Sequence, residues 1–331
     1  MICRVLDSVG VYPVYNVKIL LMAHDSEKSL LSNDVELLPK TRFWESLEIV
    51  RWEGFWFPSH VVKPAMKFRS TFAAGDGDVL LTSAMKTGTT WLKSLALSCT
   101  QRGGDGDGDG LAGNHPHVLV PTVEAVDYYN EALEFDIYDA PAPRLLHTHL
   151  PYSLLPDSVK TSSSSMKIVY LARNPKDTLI STWHFYNSIL RPIPIDKAVD
   201  SFCSGFCNYG SFFDHVAEYW IESRKRPEKI LFLKYEELKS NPKAEVSKMA
   251  EFMGKTLGSE DEVEKIMWRC SLERLRNLEV NKKESAIKNV PNGSFFRKGE
   301  VGNWKDYLTP EMAERIDQIT RHKLEGIGLF L

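Results

Sequence analysis

Asp78-Val-Leu-Leu-Thr-Ser-Ala-Met-Lys86-Thr-Gly-Thr-Thr-Trp91-Leu-Lys-Ser-Leu is the stretch whose reading decides the fold. A short apolar run ends at Ala84, a turn follows with Lys86 and Gly88, and an amphipathic helix is predicted to start near Thr89. The free backbone N–H groups of such a helix start attract phosphate, the threonine hydroxyls add donors, and Lys86 adds a full charge beside them. Gly88 is expected to let the backbone approach a ligand closely. A phosphate-bearing ligand follows from this chemistry, although a Thr-rich helix cap with no ligand would explain Gly88-Thr-Thr taken alone.

The order of residues differs from the common triphosphate loop GxxxxGK[ST], because Lys86 precedes the glycine. With Trp91 closing it, the turn resembles the 5′-phosphosulfate loop of the cytosolic sulfotransferases, usually PKSGTTW or PKTGTTW. Met85 stands where proline is usual, which frees a φ angle without removing a donor.

Three further segments resemble the family in order. Lys167-Ile-Val-Tyr-Leu-Ala-Arg173-Asn-Pro-Lys-Asp-Thr-Leu-Ile-Ser181 runs from strand into helix, with Asn174 as N-cap and Pro175 at the first helical position. Arg173 then lies at a strand's carboxyl end, where open α/β sheets bind ligands. The resemblance implies that Arg173 and Ser181 hold a 3′-phosphate. Ser294-Phe-Phe-Arg297-Lys298-Gly299-Glu-Val-Gly-Asn-Trp304 is similar to the family's RKGxxGxW element, so Arg297, Lys298 and Gly299 would close over the same phosphate. Arg144-Leu-Leu-His147-Thr-His149-Leu-Pro resembles the segment carrying the catalytic base, which maps to His149. Histidine, with an unperturbed pKa of about 6.5, suits proton abstraction near neutral pH. Two histidines at i and i+2 could also face one side of a strand as metal ligands, but no third ligand is spaced to complete a set.

By the same resemblance Tyr235, at the end of the apolar run from Lys229, contacts the adenine ring and Trp91 stacks on it. Cys270-Ser271-Leu272 aligns with a further adenine-edge segment, Leu272 replacing a commonly aromatic residue. The full set implied for the donor nucleotide is Lys86, Thr87, Gly88, Thr89, Thr90, Trp91, Arg173, Ser181, Tyr235, Arg297, Lys298 and Gly299.

The 331 residues, 43% hydrophobic and without a clean linker, suffice for one large core. Net charge is only −3, which gives no support for nucleic-acid or anionic-membrane binding. Five cysteines form neither CxxC pairs nor a zinc framework, and no signal peptide or transmembrane run is evident, so a cytoplasmic protein is expected. Residues 1–37 are expected to be a disordered extension, with Met22 an alternative start, and 38–331 the folded domain. The Gly/Asp stretch 102–110 lacks the glutamate a calcium loop needs and reads as an acidic insertion.

Strands at 78–84, near 144–148, 167–172 and 229–234, with helices at 89–101, 175–190 and 211–226, predict an α/β fold. Its architecture would be three-layer, a mainly parallel central sheet with helices on both faces and a P-loop-like phosphosulfate-binding loop. The resemblance to plant-type cytosolic sulfotransferases implies sulfuryl transfer from 3′-phosphoadenosine 5′-phosphosulfate, without a metal. The acceptor would be a hydroxyl of a small apolar molecule, such as a flavonoid, hydroxyjasmonate or steroid-like hormone. His149 would be the base, and Lys86 would stabilise the leaving oxygen. The aromatic stretches Phe43-Trp44 to Trp56-Phe57, Tyr128-Tyr129 and Trp183-His184-Phe185 would build the acceptor pocket. A P-loop kinase or NTPase would share the strand–loop–helix but needs Mg²⁺ and the GK[ST] order. A non-catalytic nucleotide-binding protein would not need His149. Lys305 to Glu314 resembles a dimerisation segment of animal members, but Pro310 stands where valine is usual, so a helix start and a monomer are favoured.

Overall fold

The computed structural model describes residues 35–100, 109–128, 137–161 and 163–331. The chain divides into two units, Met1–Leu38 and Pro39–Leu331. In the first, only 35–38 are described, closed by a bond of 3.3 Å from Leu38 N to Val35 O. The expected disorder of 1–37 thus falls mostly outside the described residues, as do 102–108 of the acidic insertion and Tyr129.

The second unit begins with a sheet that periodicity did not announce. Strands β1 (Lys40–Phe43), β2 (Leu47–Trp52) and β3 (Phe55–Pro58) form an antiparallel meander. A two-residue turn joins β2 to β3, with Glu53 and Gly54 both at positive φ (51° and 88°), matching the twist of paired strands. Helix α1 (Ser59–Thr71) follows.

The central sheet is wholly parallel. Its strands are β4 (Val79–Ser83), β5 (Leu145–Thr148), β6 (Lys167–Ala172) and β7 (Ile230–Lys234), in the order β5-β4-β6-β7. These short runs are apolar on both faces, as strands covered by helices must be. Helix α2 (Thr89–Thr100) follows β4, α3 (Pro175–Ile189) follows β6, and α4 (Phe212–Lys225) leads into β7. Val79, Leu81, Val169, Leu171, Leu231 and Leu233 pack with Leu92 and Leu95 of α2. Val246 and Met249 of α5 (Pro242–Phe252) and Val263 and Ile266 of α6 (Glu260–Arg269) complete that layer. The alternate residues face α4, where Tyr170 stacks on Tyr219 at 4.3 Å and hydrogen-bonds His215 Nδ1 at 2.9 Å. The three-layer α/β architecture read from the sequence is therefore the one observed. Each fully buried Leu or Val contributes about 1.5–3 kcal/mol to it.

Strand order and register position the site. β4 pairs with β5 on one side and β6 on the other, so the chain reverses its winding at β4, the point where such sheets open a crevice. Thr82 lies opposite Thr148, Ser83 opposite Leu171, and Ala172 opposite Lys234. The residues that follow, at 84–91, His149, Arg173 and Tyr235, consequently emerge level along one edge. Near the C-terminus Pro310 occupies the first turn of α7 (Pro310–Lys323), with the Thr309 hydroxyl accepting from Met312 N at 3.3 Å, the helix start expected there.

Candidate active site

A cavity of about 540 Å³ opens at this edge. Lys86, Gly88, Thr89, Thr90, Trp91, His149, Arg173, Ser181, Tyr235, Arg297 and Gly299 line it together, although they come from segments spread over more than half the chain. Two expected members do not. The Thr87 hydroxyl is buried and donates to the carbonyls of Ala84 and Leu171, both at 3.0 Å, so it ties the loop to β6 rather than facing the cavity. Lys298 is exposed, with its ammonium 3.9 Å from Glu300 and 3.8 Å from Asp306. Gly88 also has a different reason from the one expected: at φ +111° an added Cβ would lie 2.9 Å from the Tyr235 ring, so the missing side chain makes room for the aromatic wall.

Among the cations that line the cavity, Lys86, Arg173 and Arg297 act on one another, and none of these three is in an ion pair with a described carboxylate. Lys86, at φ 65°, rests its ammonium 3.8 Å from the Phe185 ring centre and 5.3 Å from that of Phe295. Burial, with Arg173 and Arg297 nearby, lowers its pKa to about 7. Arg173 lies under the Tyr235 ring at 4.5 Å and donates to Glu300 O at 2.8 Å; Arg297 donates to Asn303 Oδ1 at 2.6 Å. The Nε atoms of both arginines are buried without a partner. Convergent positive charge with orphaned donors is costly unless an anion enters, which identifies the cavity as suited to phosphate.

Local structure holds these groups. The Asn174 side chain accepts from the amides of Lys176 (3.0 Å) and Asp177 (3.4 Å), the cap read from the sequence. The Asp177 carboxylate accepts from Gly302 N at 2.7 Å and Trp304 N at 3.0 Å, pinning the loop that carries Arg297 onto α3. Tyr235 closes the loop from the other side through a 2.9 Å bond to Gly299 O. Trp91 meets Tyr235 edge to face at 5.5 Å, and Cys270, Ser271 and Leu272 line the same region.

His149 lies beyond β5 with its backbone held at both ends. Its N–H donates to Glu124 Oε1 at 2.7 Å, and its C=O accepts from His215 Nε2 at 2.9 Å. Its Nδ1 is 2.8 Å from Ser83 O. A carbonyl can only accept, so Nδ1 carries the proton and Nε2 keeps its lone pair. Burial lowers the ring's pKa to about 3, keeping it neutral. His147 is different: its ring nitrogens meet Ser83 Oγ at 3.2 Å and Thr122 Oγ1 at 3.1 Å, and it does not reach the cavity. Among the described residues no group of three or more His, Cys, Asp or Glu is placed to hold a metal.

Of the aromatic residues expected around the acceptor, His184 and Phe185 line the cavity, whereas Phe43, Trp44, Trp56, Phe57, Tyr128 and Trp183 do not. Phe43 and Phe57 are fully buried, and the Tyr209 ring lies between Phe57, at 5.6 Å, and His149, at 5.1 Å. His117 was missed altogether; it lines the cavity against Phe295 at 4.7 Å, and a histidine following a proline in a short segment carries no periodic signal.

A family model described as a sulfotransferase domain matches residues 76–328. The chain belongs to the sulfotransferase family. It is 41% identical over 305 residues to cytosolic sulfotransferase 12 of Arabidopsis thaliana, covering 89% of this chain and 92% of that one. Among solved structures, an Arabidopsis thaliana protein described as a candidate steroid sulphotransferase matches with TM-score 0.69 at 36% identity, over 90% of this sulfotransferase and 93% of that chain. Mouse sulfotransferase SULT7A1, solved with PAP, matches with TM-score 0.68 at 27% identity, over 83% and 93%. Among the described residues no helix of this sulfotransferase is long and apolar enough to cross a membrane.

Proposed function

We propose that this enzyme transfers a sulfuryl group from 3′-phosphoadenosine 5′-phosphosulfate to a hydroxyl of a small, largely apolar acceptor, with His149 as general base. The observation that carries the reading is the convergence of Lys86, Arg173, Arg297 and His149 on one cavity. The residues fit the donor: the orphaned Nε atoms of Arg173 and Arg297 suit the 3′-phosphate with Ser181, and the amides and hydroxyls at 88–90 suit the 5′ end. Trp91 and Tyr235 offer ring faces to adenine.

The bound donor supplies an activated sulfuryl group. His149 Nε2 takes the acceptor's hydroxyl proton as the new O–S bond forms, and Lys86 balances the charge on the bridging oxygen that is released. Both substrates lie in one crevice, so alignment supplies much of the acceleration. An apolar acceptor is supported by Phe185, Phe295 and Met85, which line the cavity with His149, the two rings lying against Lys86. A screen of flavonoid, hydroxyjasmonate and steroid-like acceptors with labelled donor tests the reading. No labelled ester from any of them, together with no calorimetric affinity for adenosine 3′,5′-bisphosphate, would overturn it. The helix start at Thr309–Pro310 supports a monomer, checked by gel filtration.

Lys86 makes binding pH-dependent. Its pKa of about 7 in the free enzyme is lowered from 10.5, and an anion beside it restores the ordinary range. Near pH 8 the free amine is mostly neutral, so adenosine 3′,5′-bisphosphate enters with about one proton, and affinity falls as pH rises above about 7. Calorimetry in buffers of different ionisation enthalpy reads this uptake. Lys86→Met abolishes it; uptake unchanged in that variant assigns the proton elsewhere.

A further inference from the structure

Lys93 lies one helical turn beyond Thr89 and is completely buried. A buried cation costs several kcal/mol unless its donors are used, so its partners are informative. Its Nζ lies 2.8 Å from Thr122 Oγ1 and 3.2 Å from His117 Nδ1. On the other side of that ring, His117 Nε2 lies 3.2 Å from Thr90 Oγ1, and both His117 and Thr90 line the cavity. Burial pushes the Lys93 pKa well below the usual lysine value and the Glu124 carboxylate opposes this, while also holding the Thr148 hydroxyl at 2.8 Å and the His149 amide.

We propose that Lys93 and His117 are positioning residues that aim the Thr90 hydroxyl proton at the donor's 5′-phosphosulfate. The direction is the one in which Lys93 Nζ, which already donates to Thr122 Oγ1, donates to His117 Nδ1 as well. The neutral imidazole then carries its proton on Nε2 and donates to Thr90 Oγ1. With a lone pair of that oxygen occupied, the Thr90 O–H turns away from His117 toward the cavity. The reverse tautomer would have His117 accepting the Thr90 proton, leaving the hydroxyl to present lone pairs to an anion. The inference rests on the proposed donor site, and it assigns the loop's polarity to two residues behind it.

The test uses full-length enzyme and two ligands, adenosine 3′,5′-bisphosphate and adenosine 3′-monophosphate, which lacks the 5′-phosphate. Lys93→Met and Thr90→Val should each weaken the bisphosphate about tenfold, as loss of a hydrogen bond to a charged group does. The double variant should be no weaker than either single one, because both remove the same bond. The monophosphate should bind all of these variants within about twofold of wild type. His117→Gln, which places an amide N–H where Nε2 stood, should keep bisphosphate affinity, whereas His117→Leu should lose it. Penalties that add in the double variant, or that fall equally on the monophosphate, overturn the proposal. Nitrogen-15 spectra of wild-type histidines provide a check that needs no variant: His117 protonated at Nε2 is the expected result, and protonation at Nδ1 overturns it. Wild-type enzyme that does not bind the bisphosphate overturns the donor site itself, and is seen before any variant is made.

Discussion

His149→Ala lowers sulfuryl transfer by about 10²–10⁴-fold, the range for loss of a positioned general base, while affinity for adenosine 3′,5′-bisphosphate stays within about twofold of wild type. The separation is expected because the bonds that hold this segment, from the His149 amide to Glu124 and from His215 to the His149 carbonyl, belong to the backbone and survive removal of the ring. The lost group is the imidazole whose Nδ1 proton is committed to Ser83 O, which leaves the Nε2 lone pair free to accept a proton. Steady-state transfer of labelled donor, with calorimetry alongside, measures both halves. Transfer within about tenfold of wild type would remove His149 from the chemistry and point to a different proton acceptor.

Asp78→Ala should destabilise the fold by about 3–5 kcal/mol, the cost of stranding a buried partner charge. Asp78 is fully buried before β4 and Arg144 is nearly so before β5. The carboxylate accepts from Gly75 N at 2.8 Å and Arg144 N at 2.7 Å, and from the Arg144 guanidinium at 3.1 and 2.6 Å. Arg144 reaches on to the carbonyls of Ile137 and Ala73. The pair therefore clasps the starts of two neighbouring strands whose far ends carry Lys86 and His149. Urea unfolding measures the loss, and Asp78→Ala with Arg144→Met should recover part of it because the stranded charge is gone. A loss below about 1 kcal/mol would mean that water reaches the guanidinium and screens it as at a surface.

Most of the sheet was legible in the sequence. Short apolar runs bounded by turns give strands, and Asn174-Pro175 or Thr309-Pro310 give helix starts, because caps and fixed φ angles are local. The family resemblance named Lys86, His149, Arg173 and Tyr235 in advance, and their place at the carboxyl ends of parallel strands, where such sheets open a crevice, agreed with it. The meander at 40–58 was less legible: its aromatic runs suggested a pocket, and the Glu53-Gly54 turn between them was the signal for a hairpin.

What the sequence by itself determined is which residue types stand at the ends of which strands, and that follows from chemistry acting over a few neighbouring residues. Tertiary structure decided which side chains share an environment. It turned the Thr87 hydroxyl to the carbonyl of Leu171, kept Lys298 in solvent, made Phe43 and Phe57 core, and buried Lys93 behind His117 and Thr90. The physical reason is that burial and hydrogen-bond partners arise between segments far apart in the chain, set by strand order and register.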